Sequence, residues 1–311
     1  MTFLPRSGKT ETVITYLSGA VVPAALGSRM DFGILLTPLM GNVPAQGVGI
    51  HAHDNGVFSE WKSGGQKPFR LDAFLHHLVM WRNVQQRCLF AVAPDVIGDW
   101  RATLERSAPV LPQIRALGYR AALVAQDGLE HNMDAIPWDT FDVLFLGGGS
   151  SPKYLSKTNR VRQKNPATGR NRWVGEWKCT PGAARIVAEA RRRGKDVHMG
   201  RVNSGKRLAY AQSIGCTSAD GTKIAFGPDV NTPKVQRWVR ETNTGERQSI
   251  ANCLICRHHL AIRFHYDRRP LAVAIAEEFG GQTCGHGLDN TPYRGERAAP
   301  LAFPTRLEAA A

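Results

Sequence analysis

The stretch CLFAVAPDVIGDWRATLERSAPVLPQIRALGYRAALVAQ, residues 88–126, reads as a complete strand, helix and strand. Cys88–Ala93 and Ala121–Gln126 are short and almost wholly apolar, which predicts strands buried on both faces. Asp99–Leu117 between them has a helical pattern, and each strand runs into a polar residue, Asp95 or Gln126. The same unit recurs along the chain. Further strands are predicted at Phe32–Thr37, Gly47–His53, Val143–Leu146, Asp196–Gly200 and just before Asp220, with helices at Leu71–Trp81, Pro181–Arg193 and Lys206–Ile214. Uniformly apolar strands separated by amphipathic helices imply a parallel sheet covered on both faces. Seven or eight units in about 210 residues predict an α/β fold, a (β/α)₈ barrel. A doubly wound open sheet is the alternative.

The placement of polar residues favours the barrel. Asp54, Asp95, Gln126, Gly148, Met199 and Asp220 each fall at the C-terminal end of a predicted strand, and in a parallel barrel those ends converge on one mouth. Residues 1–30 read as an irregular N-terminal segment, 31–242 as the barrel and 243–311 as a small C-terminal segment with its own cysteines and histidines. Residues 151–175 interrupt the barrel pattern. They hold seven Lys or Arg and no acid, with Tyr154 and Trp173 as aromatics, and read either as a binding loop over the mouth or as a solvated, disordered loop.

The 311 residues carry 40 Lys plus Arg against 26 Asp plus Glu, a formal charge of +14, and the pI is near 9.9. This excess attracts polyanions, which points to DNA or RNA as partner. No apolar run reaches the roughly 18 residues of a membrane helix, and six cysteines in a chain this long form no dense disulfide framework. The expectation is a protein of a reducing cytoplasm with no membrane contact.

Asp54 and Asp220 suit glycosidic chemistry, one carboxylate attacking the anomeric carbon while the other moves protons. Either acid alone reads more simply as a cap or turn residue; their joint setting at one mouth is what gives them weight. Basic groups on the insertion and beside the mouth, Lys153, Lys157, Arg160, Arg162, Arg170, Arg172, Arg201 and Arg207, are candidates for phosphate contacts.

Asp54-Asn55-Gly56-Val57-Phe58 resembles the Asp-Ser-Gly-Gly-aromatic element of the tRNA-guanine transglycosylases, and Gly215 to Asp220 is similar in spacing to the element that carries their nucleophile. Pro94-Asp95, Gln126, Gly147-Gly148-Gly149 and His198-Met199-Gly200 follow in that family's order. The match is closer to the divergent branch found in phages and DNA-modification gene clusters. The resemblance implies base exchange: Asp220 attacks C1′ and expels guanine, and a 7-deazaguanine such as preQ0 enters in its place, with no organic cofactor. It implies Asp54 as general acid/base, Asp95 on the guanine Watson–Crick edge, Gln126 with Gly147 and Gly148 at the carbonyl oxygen, and Phe58 and Met199 against the two faces of the base. A plain core role for Met199 stays open. DNA is favoured over tRNA as the polymer, queuine-type exchange on tRNA being the alternative.

Two features depart from the family. Thr217 replaces a customary acid, and the zinc spacing of the tRNA enzymes is not reproduced. Cys253, Cys256, Cys284 and His286 could nevertheless hold a structural zinc, with His258, His259 and His265 as other possible ligands and buried free thiols as the competing reading. Two rivals come from other classes. His51-Ala52-His53 with His198 and Asp220 resembles the metal site of amidohydrolase barrels, and a non-catalytic nucleic-acid binder would explain the charge alone.

Overall fold

The computed structural model describes residues 13–19, 30–38, 49–156, 159–165 and 168–244. Lys157 and the candidate zinc ligands Cys253, Cys256, Cys284 and His286 lie outside the described residues. In chain order the strands are β1 (Thr15–Ser18), β2 (Phe32–Leu36), β3 (Ile50–His53), β4 (Cys88–Val92), β5 (Ala121–Ala125) and β6 (Val143–Leu146), then β7 (Ser150–Ser151), β8 (Val161–Lys164) and β9 (Asn171–Glu176), and finally β10 (Asp196–Met199) and β11 (Ser218–Gly221). Among the described residues seven α-helices accompany them: α1 (Val57–Lys62), α2 (Leu71–Met80), α3 (Trp100–Ser107), α4 (Leu111–Ala116), α5 (Pro181–Arg192), α6 (Gly205–Ser213) and α7 (Pro228–Asn243).

Eight parallel strands close in the order β1-β11-β10-β6-β5-β4-β3-β2. The fold is a (β/α)₈ barrel, and closure rules out the open sheet. The closing strand comes from the segment expected to be irregular: β1 pairs with β2 on one side and β11 on the other. Its four residues, Thr-Tyr-Leu-Ser, look half polar, yet Tyr16, Leu17 and Ser18 are all buried because a barrel strand is covered on both faces. Asn243, at the end of α7, accepts from the Ile14 N–H at 2.8 Å and donates to the Ile14 carbonyl at 3.1 Å, which ties the last helix to the entry of the first strand.

Side chains divide by strand parity. Leu17, Leu35, Ala52, Phe90, Val92, Ala122, Val124 and Val143 fill the barrel interior. Tyr16, Phe32, Ala91, Leu123, Leu144, Val197 and Met199 face outward and pack with helix residues such as Phe74, Ile114, Ile186 and Leu208. Gly33 is required where β2 meets β3, since a Cβ there would lie 2.3 Å from the Ile50 carbonyl oxygen.

The helix expected over Asp99–Leu117 is two helices. Asp99 caps α3, accepting from the Arg101 and Ala102 N–H groups at 3.0 Å. Pro109 then offers no N–H to continue it, and Pro112 sits in the first turn of α4, where proline is tolerated. No helix of the described residues is long and apolar enough to cross a membrane.

The described residues of the basic insertion form an antiparallel sheet, β7-β9-β8, rather than a disordered loop. Buried Asn159 ties its two arms together, donating to the Tyr154 and Glu176 carbonyls at 3.1 and 2.7 Å and accepting from the Glu176 N–H at 2.9 Å.

Candidate active site at the barrel mouth

Asp54 follows the last residue of β3, and its N–H donates to the Leu36 carbonyl at 2.7 Å, so the turn continues the sheet by one bond. Gly56, with φ 80°, then starts α1. Buried Asn55 bridges to the next strand end, donating to the Ala93 carbonyl at 2.9 Å and to Asp95 Oδ1 at 3.0 Å. The Asp54 carboxyl is pushed up to about 7, first by burial, then by the fields of Asp95 and Asp220, against hydrogen bonds from the Asn55 and Gly56 N–H groups. Asp54 therefore senses two further carboxylates at the same mouth.

Asp95 is nearly buried and accepts a second bond, from Gln126 Nε2 at 2.6 Å. Burial raises its pKa while the Asn55 and Gln126 donors oppose the rise. Gln126 Oε1 is itself occupied, accepting from the Gly98 and Gly148 N–H groups at 3.0 and 3.1 Å. Expected side by side on a base carbonyl, Gln126 and the Gly148 N–H instead bond to each other, so a base would have to replace that contact. Gly147 packs beneath this pair, a Cβ there falling 2.8 Å from Val124 and 3.0 Å from Gln126 Nε2. Gly148 has φ 78°, and a Cβ on it would lie 2.4 Å from the Trp177 ring. Gly148→Ala is therefore expected to destabilise the fold by about 2–4 kcal/mol in urea unfolding, from backbone strain and overpacking together.

Asp220 lies within β11 rather than after it, with its side chain directed into the barrel. Its Oδ1 meets His198 Nε2 at 3.0 Å, and both carboxylate oxygens are 3.3 Å from the Arg201 N–H. That N–H is aimed by a left-handed backbone, φ 57° at Arg201, unusual for a residue other than glycine. Fully buried His198 is held on its other nitrogen by Ser218 Oγ at 2.8 Å, and its ring lies 4.9 Å from Phe90 and 4.6 Å from Phe145. From sequence, His198 stands beside Asp220 only as a possible metal ligand. Its signal was parity: in β10 and β11, His198, Ser218 and Asp220 face inward together.

The same parity corrects Met199. It is fully buried in the helix-facing layer with Val197, Leu144 and Ala219, and does not line the mouth. Phe58, by contrast, is 45% exposed on α1 with its ring 5.6 Å from that of Trp61, itself 58% exposed, an aromatic that sequence reasoning passed over.

Among the basic candidates, Arg207 is not available to phosphate: it is ion-paired with buried Glu176, which also lies 3.7 Å from the ammonium of buried Lys178. Lys178 donates to the Gly200 carbonyl and so braces the turn between His198 and Arg201. Lys153, Arg162, Arg170, Arg172 and Arg201 are exposed. On the insertion Arg160 and Arg162 lie 4.9 and 5.7 Å from the centre of the Trp173 ring, and Lys153 lies 4.7 Å from that of Tyr154.

The His51-His53 pair does not reach the mouth. Ala52 faces the interior, while both histidines face outward against Trp81, their ring centroids each 5.8 Å from it. An amidohydrolase-type site shared with Asp220 is therefore not formed. A surface cleft lined by Pro233, Lys234, Gln236, Arg237 and Arg240 on α7 includes none of the mouth carboxylates.

No family model matches the chain, and no curated protein matches it. Among solved structures it is similar to tryptophan synthase from M. tuberculosis in its open form, at 11% identity and TM-score 0.36, over 63% of this chain and 60% of that one. A mutant tryptophan synthase alpha subunit from Pyrococcus furiosus gives 11% identity and TM-score 0.36, over 63% and 66%. The Bacillus subtilis YkuI protein, with an EAL domain and in complex with its substrate c-di-GMP and calcium, gives 13% identity and TM-score 0.31, over 78% and 63%. The chain thus spans less than two thirds of the length of the first of these.

Proposed function

We propose that the protein is a base-exchange transglycosylase that replaces guanine in DNA by a 7-deazaguanine through a covalent Asp220–C1′ intermediate. The observation that carries this reading is the set of three carboxyl groups at one mouth in three different settings: Asp220 held by N–H donors, Asp54 pushed up to about 7, and Asp95 fixed between two amides. A nucleophile, a proton carrier and a guanine-edge acceptor need just such a division.

In the first half-reaction an Asp220 oxygen bonds to C1′ as the C1′–N9 bond breaks, and the electron pair of that bond leaves with guanine. Protonated Asp54 delivers its proton to the departing base. In the second half, the incoming 7-deazaguanine gives its N9 proton to Asp54, N9 bonds to C1′, and Asp220 departs as a carboxylate. The Arg201 N–H and His198 lower the cost of that returning charge. Protons and charge balance over the cycle with no external reagent.

The target base must be unpaired or flipped to reach the mouth, at a cost of a few kcal/mol. The basic hairpin offsets this through phosphate contacts, and Trp173 offers a stacking face. Arg162→Glu combined with Arg172→Glu is expected to weaken single-stranded DNA binding by about 10- to 100-fold and to flatten its log–log salt slope by about 2. Fluorescence anisotropy across a salt series reads both. The deciding experiment offers labelled guanine and labelled preQ0 with DNA and with tRNA in parallel. Label in tRNA alone would overturn the DNA assignment, and label in neither would overturn the transglycosylase.

A further inference from the structure

A second cluster of chemically competent side chains lies outside the mouth, between the outer wall of β3 and β4 and the helix α2. A ring nitrogen of His51, one of His53 and the Cys88 sulfur all lie within 4.8 Å of one another. Both histidines are fully buried, and the Nε2 atom of each has no hydrogen-bond partner. Two orphaned ring nitrogens in one cluster would each be expected to cost about 1–3 kcal/mol if nothing ever met them.

The opposite ring nitrogens show which way the lone pairs point. His51 Nδ1 lies 3.1 Å from the Gly49 carbonyl, an acceptor that only an N–H can face. His51 Nδ1 therefore carries the proton and Nε2 the free lone pair. His53 Nδ1 lies 2.9 Å from His77 Nε2, and with His53 as donor its own Nε2 is likewise a lone pair. A histidine whose far N–H is fixed by a carbonyl or another outer partner while its near nitrogen is left open is the arrangement that metal-binding histidines adopt. The pairing of β3 with β4 shifts register between His51 and His53, opposite Cys88 and Ala91. Trp81 and Tyr119 wall the cluster, the His53 ring lying 5.8 and 5.5 Å from theirs in T-shaped contacts.

We propose that His51, His53 and Cys88 bind a zinc-class metal ion, with His77 orienting His53 from behind. Two imidazoles and one thiolate select zinc or a similarly soft ion over magnesium and calcium, which want oxygen ligands. Bonds of about 2.0–2.3 Å place tetrahedral ligands roughly 3.3–3.8 Å apart, so modest side-chain rotation closes the set. The Cys88 thiol now points at the Phe90 carbonyl, 3.3 Å away. On binding it gives its proton to solvent, and the sulfur turns to the metal. The ion fastens β3 to β4 immediately before Asp54, a structural role that stands whether or not the chain is a transglycosylase.

The test uses the full chain carrying Cys253→Ser, Cys256→Ser and Cys284→Ser, so that those thiols cannot report. Cobalt(II) added to the metal-stripped protein is expected to bind once per chain with a thiolate-to-cobalt charge-transfer band, and zinc(II) to displace it. Cys88→Ser should remove the band, Cys179→Ser should keep it, and His77→Phe should weaken zinc binding by about 10- to 100-fold. If Cys88→Ser fails to fold, alkylation of the parent protein decides: zinc(II) should protect Cys88 and not Cys179, read by mass spectrometry. Cobalt bound without the band, a band that survives Cys88→Ser, or equal labelling of Cys88 with and without zinc(II) would each overturn the site.

Discussion

Asp220→Asn is expected to abolish the covalent enzyme–DNA adduct and to lower base exchange by at least about 10⁴-fold, while leaving the fold intact. Removing the nucleophile from a double-displacement enzyme forfeits the whole route, because the surrounding groups act only through the bond it forms. Asparagine is the informative choice. It keeps the volume and an oxygen for the Arg201 N–H, 3.3 Å away, so a loss of activity cannot be assigned to collapse of the turn. It also removes a nearly buried charge from beside Asp54. Unfolding by urea should therefore occur at the wild-type midpoint or above it. A wild-type yield of adduct on denaturing gels from the D220N protein would exclude Asp220 as nucleophile, and intact exchange would exclude the mechanism altogether.

The barrel was legible because burial on both faces writes itself into a strand: Ala121–Ala125 and Phe32–Leu36 are buried throughout and almost wholly apolar. β1 was not legible, since four residues beginning with threonine and ending with serine give no apolar run, and only closure against β11 explains their burial. At the mouth, position along the chain was enough to bring Asp54, Asp95 and Asp220 together, because all parallel strands end on one side. It was not enough to say which way a residue faces. Met199 and His198 are neighbours in β10, and one position decides that Met199 packs under the helices while His198 meets Asp220. The same one-residue alternation turns Ala52 inward and His51 and His53 outward, which removes a metal site from the mouth and leaves its donors beneath α2. Asn55 and Lys178 were missed for another reason: they act by hydrogen-bonding to groups far away in sequence, and nothing local marks them.

Asp54→Asn is the second large effect, and it should run in opposite directions for activity and stability. In the folded protein the Asp54 carboxyl is pushed up to about 7 from an ordinary value of 3.8, so the native state holds a proton that the unfolded chain has already lost. Below about pH 4 both states are protonated and the group costs nothing. As pH rises from about 4 to 7 the unfolded state ionises first, and stability falls; above about 7 the loss is complete. A rise from 3.8 to about 7 corresponds to at most about 4 kcal/mol. The group keeps some access to solvent, so the asparagine variant should exceed wild type by about 1–3 kcal/mol at pH 8 and match it near pH 4, in paired urea titrations. Base exchange should meanwhile fall by about 10²- to 10⁴-fold, the usual contribution of a positioned acid/base group, and the pH–rate limb near 7 should vanish. A gain in stability with exchange undiminished would make Asp54 a strained bystander. A loss of exchange with the limb still in place would move the proton transfer to another group, for which Asp95, also raised by burial, is the nearest candidate.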